Sequence, residues 1–139
     1  MSVEAIRNSL IYAYGECDTG ITTNFGNAPL HVPRIGIPWA NLFIIPNMPE
    51  GYELGQGGSD YHTGIMQIDL YYPAAQGDRQ ILQMCDKIRN YFVHGKSVVY
   101  EGQAVSFARS GGRGARNEDG EYKESITINW SAKVNRVGV

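Results

Sequence analysis

The chain has 139 residues, of which 42% are hydrophobic, and its formal net charge is −2. Such a length favours one domain over residues 1–139, with enough apolar surface to fold without a metal or a disulfide. The sequence has no run of about 18 apolar residues, no signal-peptide pattern and no excess of basic residues. We therefore expect no membrane span, no secretion signal and no duplex DNA as the main partner.

The first half of the chain predicts one helix and two strands, separated by irregular segments. Residues 2–13 place apolar side chains on one helical face, and Gly15 follows as a stop signal, which predicts a first helix. Residues 15–33 show little periodicity and predict a long connection. Residues 35–45 are apolar and β-branched, and residues 63–72 alternate cleanly between apolar and polar side chains, so each predicts a strand.

The second half predicts another helix and a run of strands. Residues 79–93 carry apolar side chains at helical spacing, with Asp78 in the cap position and Gly95 as a left-handed stop. Three further strands are predicted over residues 97–100, 103–108 and 122–134, with a turn at Glu101-Gly102. The element order predicts an α+β domain, in which both helices pack on one face of a mainly antiparallel sheet of four to five strands.

The glycines are concentrated in two segments of opposite charge. Ten of the 17 glycines lie within residues 51–64 and 102–120, which predicts long loops near residues 46–62 and 109–121. We interpret both loops as conformationally free segments reserved for assembly contacts. In a ring of identical subunits, the acidic loop of one subunit would meet the basic loop of the next. The candidate interface residues are Glu50, Glu53, Asp60, Arg109, Arg113 and Arg116.

No sequence pattern supports catalysis, a cofactor or a metal site. The three histidines are far apart, and the glycine-rich Gly55–Ser59 segment lacks the lysine and the following helix of a phosphate-binding loop. Cys17 and Cys85 lie far apart, and we interpret them as free, buried thiols. We predict that the chain is not an enzyme; a small enzyme that uses the Gly55–Ser59 loop is the alternative.

The arginine–glycine segment suggests a second alternative from a different class. Residues 109–120 interleave arginines with glycines, as in short segments that bind single-stranded nucleic acid. The segment occurs once, contains no aromatic residue and is followed at once by acidic residues. We therefore expect no specific nucleic-acid ligand, and an RNA-binding module that uses this loop is retained only as an alternative.

Three patterned segments follow one another in a defined order. The run Pro38-Trp-Ala-Asn-Leu-Phe-Ile-Ile-Pro precedes the strand Gly64-Ile-Met-Gln-Ile-Asp-Leu-Tyr-Tyr-Pro, a Gly77-Asp-Arg turn, and the helix Cys85-Asp-Lys-Ile-Arg-Asn-Tyr-Phe. A short helix comes before them, and a β-rich tail with an arginine–glycine hairpin comes after. Over roughly residues 3–134, this order resembles the tail terminator-like proteins of long-tailed bacteriophages.

The resemblance implies a structural role in the virion. Members of that family assemble as a ring, commonly a hexamer, on the head-proximal end of the tail tube, where the ring stops tube polymerisation and presents a surface for head joining. The implied partners are other copies of the chain, the tail tube protein and a head-completion or connector protein. The implied location is the tail or neck of the virion, after assembly in the bacterial cytoplasm. Another neck or connector protein of the same particle is the alternative within this class.

Overall fold

The computed structural model describes residues 3–25, 37–47, 50–51, 59–73, 77–112, 114, 116–118 and 121–135. Two helices pack on one face of a mixed β-sheet, so the predicted α+β class is confirmed. The elements are α1 (Val3–Cys17), β1 (Thr22–Phe25), β2 (Trp39–Pro46), β3 (Glu50–Gly51), β4 (Ser59–Pro73), α2 (Arg79–Tyr91), β5 (Ser97–Tyr100), β6 (Gln103–Gly112), β7 (Arg116–Glu118) and β8 (Glu121–Asn135).

The sheet contains more strands than the sequence predicts. Its order is β1-β2-β4-β8-β6-β5, with β3 paired to β4 and β7 paired to β8. All pairs are antiparallel except β1 with β2, which is parallel. The prediction of four to five strands is therefore wrong in number, because β1, β3 and β7 are two to four residues long and carry too few side chains to show an alternating pattern.

Strands β4 and β8 form a long antiparallel ribbon at the centre of the sheet. Each strand has 15 residues, and they pair from Ser59 opposite Asn135 to Pro73 opposite Glu121. Even-numbered side chains of the ribbon face the helices, and the alternation predicted for both strands is confirmed. The odd-numbered side chains, including Gln67 and Thr127, define what we call the outer face.

The core lies between the helices and the even-numbered side chains of the ribbon. Helix α2 packs over β4 and β8, while α1 packs over β5 and β6 and contacts α2. The buried side chains include Leu10 from α1, Ile81 and Ile88 from α2, and Ile68 and Ile128 from the ribbon, all of which form one hydrophobic cluster. None of the described helices is both long enough and apolar enough to cross a bilayer.

Both helices differ at their ends from the sequence-based expectation. Helix α1 continues through Gly15 to Cys17, because Tyr14 and Cys17 are buried and extend its apolar face. The prediction that Gly15 ends the first helix is therefore wrong, and Asp18 takes the left-handed conformation at φ 57° instead. Asp78 occupies the cap position of α2, but its side chain makes no capping hydrogen bond. Gly95 has φ 89°, so the left-handed turn predicted there is confirmed.

The segments expected to be long loops contain strands wherever the structure describes them. Between residues 15 and 33, the chain forms the end of α1 and then β1. The segment near 46–62 contains β3 and the first residues of β4, and the segment near 109–121 contains the end of β6, all of β7 and the start of β8. Glycine-rich composition concealed these strands, because glycine has low strand propensity.

Candidate functional site

The acidic candidate residues lie at one end of the ribbon. Glu50 belongs to β3 and pairs with Tyr61, while Asp60 of β4 pairs with Gly51 on one side and Val134 on the other. Glu50 and Asp60 therefore occupy neighbouring backbone positions at this end of the ribbon. Asp60 is half-buried. Glu53 lies outside the described residues.

The basic candidate residues are not all together. Arg116 lies on β7 directly opposite Lys123 of β8, so two cations occupy neighbouring positions of one strand pair. Lys123 was missed by the sequence analysis because it lies in the next strand, outside the arginine–glycine segment. Arg113 lies outside the described residues.

Arg109 is separated from Arg116 by a bulge in β6. Phe107 pairs with Trp130 and Ser110 with Ile128, so two β6 residues face a single residue of β8. Arg109 is exposed there and lines a groove of about 480 Å³ together with Asp86 and other residues of α2. Arg109 and Arg116, seven positions apart in sequence, therefore belong to different surfaces.

The acidic residues and Arg116 occupy opposite ends of the ribbon. Asp60 pairs with Val134, whereas Arg116 pairs with Lys123. Eleven residues of β8 separate these two positions, which corresponds to about 36 Å of extended strand. Within one chain the two regions do not meet, so a contact between them requires a second copy.

A buried carboxylate holds the arginine–glycine segment against the sheet. Glu124 of β8 is only 4% exposed and faces the helix side, and its Oε1 accepts a hydrogen bond from the Gly114 backbone N–H at 3.1 Å. A Cβ on Gly112 would lie 3.2 Å from the same oxygen, and Gly114 has φ 94°. The glycines here allow close approach and a left-handed turn. At these two positions, glycine therefore also meets a local steric demand.

Glu124 was also missed by the sequence analysis, although the sequence contains a signal for it. The residue occupies an even-numbered position in the alternating strand, where the other even-numbered residues are apolar or aromatic. A carboxylate buried at such a position requires hydrogen-bond partners, because burying an unpaired charge costs free energy.

The outer face carries an aromatic ladder across β2, β4 and β8. Trp39 stacks on Tyr71 with ring centroids 4.1 Å apart, and the Trp39 Nε1–H donates to Glu121 Oε2 at 3.1 Å. The Lys123 ammonium lies 5.4 Å from the Tyr71 ring centroid. These contacts link β2, which the sequence predicted within residues 35–45, to the end of the ribbon that pairs with β7. They also place Lys123 beside an aromatic surface.

A polar pocket of about 370 Å³ lies beside this ladder on the outer face. Its lining combines glycine backbone with hydroxyl, amide and cationic side chains: Gln67, Gly111, Gly112, Arg116, Lys123, Ser125 and Thr127. Next to it, the Gln67 amide donates to Asp69 Oδ1 at 3.0 Å. The pocket presents more polar than apolar surface, which suits contact with polar protein segments.

The burial and spacing of the titratable residues fit a structural role. Cys17 and Cys85 are free and buried, as expected, and burial raises the pKa of both thiols, that of Cys85 to about 12. Both thiols are therefore protonated near neutral pH. Asp69 lies on the outer face and Asp86 on α2, on opposite sides of the sheet. Within the described residues, no three histidine, cysteine, aspartate or glutamate side chains gather as metal ligands do.

Comparison with known proteins identifies the family. Residues 16–130 match the family model described as phage tail terminator protein. One solved structure superposes with a TM-score of 0.73 at 15% sequence identity, and the match covers 95% of this chain and 96% of that chain. The likeness to that structure shows a shared fold. A search of curated proteins finds no significant match.

Proposed function

Because the chain belongs to the phage tail terminator family, we propose that it forms a hexameric ring that caps the head-proximal end of the tail tube. In that position the ring ends tube polymerisation and provides the surface for head joining. The match over residues 16–130 is the observation that carries the proposal, since it spans most of the chain. The chain is thus a structural protein associated with the phage tail, and its proposed place is the virion neck, after assembly in the bacterial cytoplasm.

The shape and charge of the ribbon support contacts at both of its ends. A ring on a tube has two axial surfaces, one toward the tube and one toward the head, and in the proposed ring the two ends of the ribbon lie toward these surfaces. Glu50 and Asp60 lie at one end, and Arg116 with Lys123 lies at the other. Complementary charge steers protein association and selects register, so the two ends suit different partners.

The six candidate residues from the sequence are therefore proposed as assembly contacts. Glu50 and Asp60 act at one end of the ribbon, Arg116 acts at the other, and Arg109 acts from the groove beside α2. Glu53 and Arg113, which lie outside the described residues, stay candidates from the sequence alone. The proposed partners are neighbouring copies of the chain, the tail tube protein and the head-completion or connector protein. No cofactor takes part in this function.

Electron microscopy of particles made without this protein tests the proposed function. Overlong tails of irregular length are expected, because tube polymerisation would lack its stop. Tails of normal length that fail to join heads would contradict termination and support the alternative, a connector of the same neck. Supplying the wild-type chain in trans should restore uniform tails.

A further inference from the structure

Strand β5 ends the sheet and leaves one of its edges without a strand among the described residues. It pairs only with β6, through a two-residue turn in which Glu101 and Gly102 have φ 49° and 82°. In such a hairpin the two residues that flank the turn form a hydrogen-bonded pair, and these pairs alternate along the strands. The backbone groups of Tyr100 and Val98 therefore bond to β6. The backbone N–H and C=O groups of Ser97 and Val99 consequently point away from the sheet.

Apart from its short length, this edge lacks the usual features that prevent strand addition. Natural edges are blocked by lysine, proline, bulges or covering elements. Strand β5 reads Ser-Val-Val-Tyr, with no charge and no proline, and it pairs with β6 without a bulge. Val99 is 63% exposed, more than any other large hydrophobic side chain among the described residues. A four-residue edge of this composition is suited to pairing with another chain.

A tyrosine cluster flanks the edge on the helix side. Tyr12 of α1 stacks on Tyr100 with ring centroids 4.6 Å apart, and Tyr12 is 38% exposed. The Lys96 ammonium lies 3.5 Å from the Tyr91 ring centroid. Rigid, partly exposed tyrosines are the residue type most enriched at the centres of protein interfaces.

The opposite edge of the same sheet offers a matching strand. Strand β1, Thr-Thr-Asn-Phe, has the same length as β5, carries no charge, and pairs with β2 as its only strand partner among the described residues. Pairing along the sheet is antiparallel at every step from β5 to β2 and parallel from β2 to β1, so β1 and β5 run in the same direction. A groove of about 310 Å³ adjoins β1, lined by residues including Ile11, Tyr14 and Phe25.

We propose that β5 of one subunit pairs in parallel with β1 of a second copy, and that this heterologous contact closes the ring. Two different edges at opposite ends of one sheet generate a ring when each subunit is rotated relative to the last. The Tyr12–Tyr100 cluster of one copy then faces the groove beside β1 of the next. The inference rests on the proposed function only in requiring that the chain form a ring.

Hydrogen exchange of the full chain tests the strand pairing directly. The Ser97 and Val99 amides should exchange fast in dilute protein and become protected, together with amides of β1, when the chain is assembled on tail tubes. Protection of β5 without protection of β1 would overturn the proposal, because another protein would then occupy the edge. Unchanged exchange of both strands on assembled tubes would also overturn it.

The variant Val99→Pro removes the outward-pointing amide, and no β6 bond depends on that amide. We expect self-association, measured by sedimentation over a concentration series, to require about tenfold more protein, since about one hydrogen bond's net free energy is lost per interface. The control Val99→Thr retains the amide and the β-branched shape, and it should associate like the wild type. Wild-type association by Val99→Pro, with an unchanged melting temperature, would contradict the proposal.

Mixing two variants, each blocked at a different edge of the sheet, tests whether β5 pairs with β1 or with another β5. Thr22→Lys places a charge on β1, which blunts strand addition. At a concentration where the wild type associates and Val99→Pro does not, each variant alone should be mainly monomeric, and their equimolar mixture should form a heterodimer through the one intact β5–β1 pair. If Thr22→Lys dimerises alone, β5 pairs with itself and the inference fails, whereas the proposed function fails only if tails lacking the protein keep their normal length.

Discussion

Two glycines, Gly15 and Gly64, occupy positions with opposite steric demands. Gly15 lies inside α1, where a Cβ would meet no atom within 4 Å. Gly64 lies in β4, where a Cβ would lie 2.5 Å from the Ile45 carbonyl oxygen and 2.6 Å from the Trp130 ring. Glycine is thus required at position 64 and merely tolerated at position 15.

We expect Gly64→Ala and Gly15→Ala to change stability in opposite directions. Gly64→Ala should lower the free energy of unfolding by about 1–3 kcal/mol, because β2 and the Trp130 ring must both move away from the added methyl group. Gly15→Ala should raise it by about 0.5–1 kcal/mol through higher helix propensity. Urea unfolding measures both. Stabilisation by Gly64→Ala would contradict the packing described for β2 and β4.

Glu124 provides a second prediction at the residue scale. Glu124→Leu should lower the free energy of unfolding by about 1–3 kcal/mol, because the Gly114 N–H loses its acceptor. Amide exchange in β7 should accelerate in this variant. Glu124→Gln is the matched control, since its amide oxygen can still accept the bond. Equal exchange in both variants would show that the carboxylate does not hold the segment.

At the scale of elements, the long patterned segments and the β5–β6 hairpin were predictable, and the short strands β1, β3 and β7 were not. The alternation of residues 63–72 and 122–134 and the helical spacing of residues 79–93 each involve many side chains, so local periodicity was sufficient. Strands β1, β3 and β7 exist because a neighbouring strand supplies hydrogen bonds. Such pairing depends on residues distant in sequence, and no local pattern reports it.

The β5–β6 hairpin yields a prediction about one element. Its turn places Glu101 at φ 49°, a conformation that suits asparagine better than glutamate. Glu101→Asn should therefore stabilise the protein by about 0.5 kcal/mol, measured as a higher urea midpoint with an unchanged slope. Gly102→Ala, at φ 82°, should act in the opposite direction. A lower midpoint for Glu101→Asn would contradict the turn conformation.

At the scale of the whole molecule, the ribbon separates charges that the sequence places in two glycine-rich segments. Arg109 and Arg116 are seven positions apart in sequence, yet a bulge directs Arg109 to the groove beside α2, while Arg116 pairs with Lys123. The two arginines therefore allow the basic contacts to be tested separately.

Arg116→Ala should reduce tail assembly without affecting the fold. We expect fewer correctly terminated tails when this variant replaces the wild type, counted by electron microscopy, because one end of the ribbon loses a cation. Arg109→Ala tests the contact proposed in the groove beside α2 separately. Arg79→Ala is the matched control for loss of an exposed arginine outside the proposed contacts, and it should leave the tails normal. If Arg116→Ala instead lowers RNA affinity and its salt dependence while tails stay normal, the RNA-binding alternative is favoured.

The sequence by itself determined the α+β class, the alternating strands of residues 63–72 and 122–134, α2 and, through the order of its motifs, the family. These properties depend on periodicity and local order, which a single chain displays residue by residue. Only the tertiary structure decided the strand count, the burial of Glu124, the separation of Arg109 from Arg116 and which strands, β1 and β5, lie outermost among the described strands of the sheet. Each of these follows from strand register and pairing between distant segments, where one bulge or one added short strand changes which side chains meet.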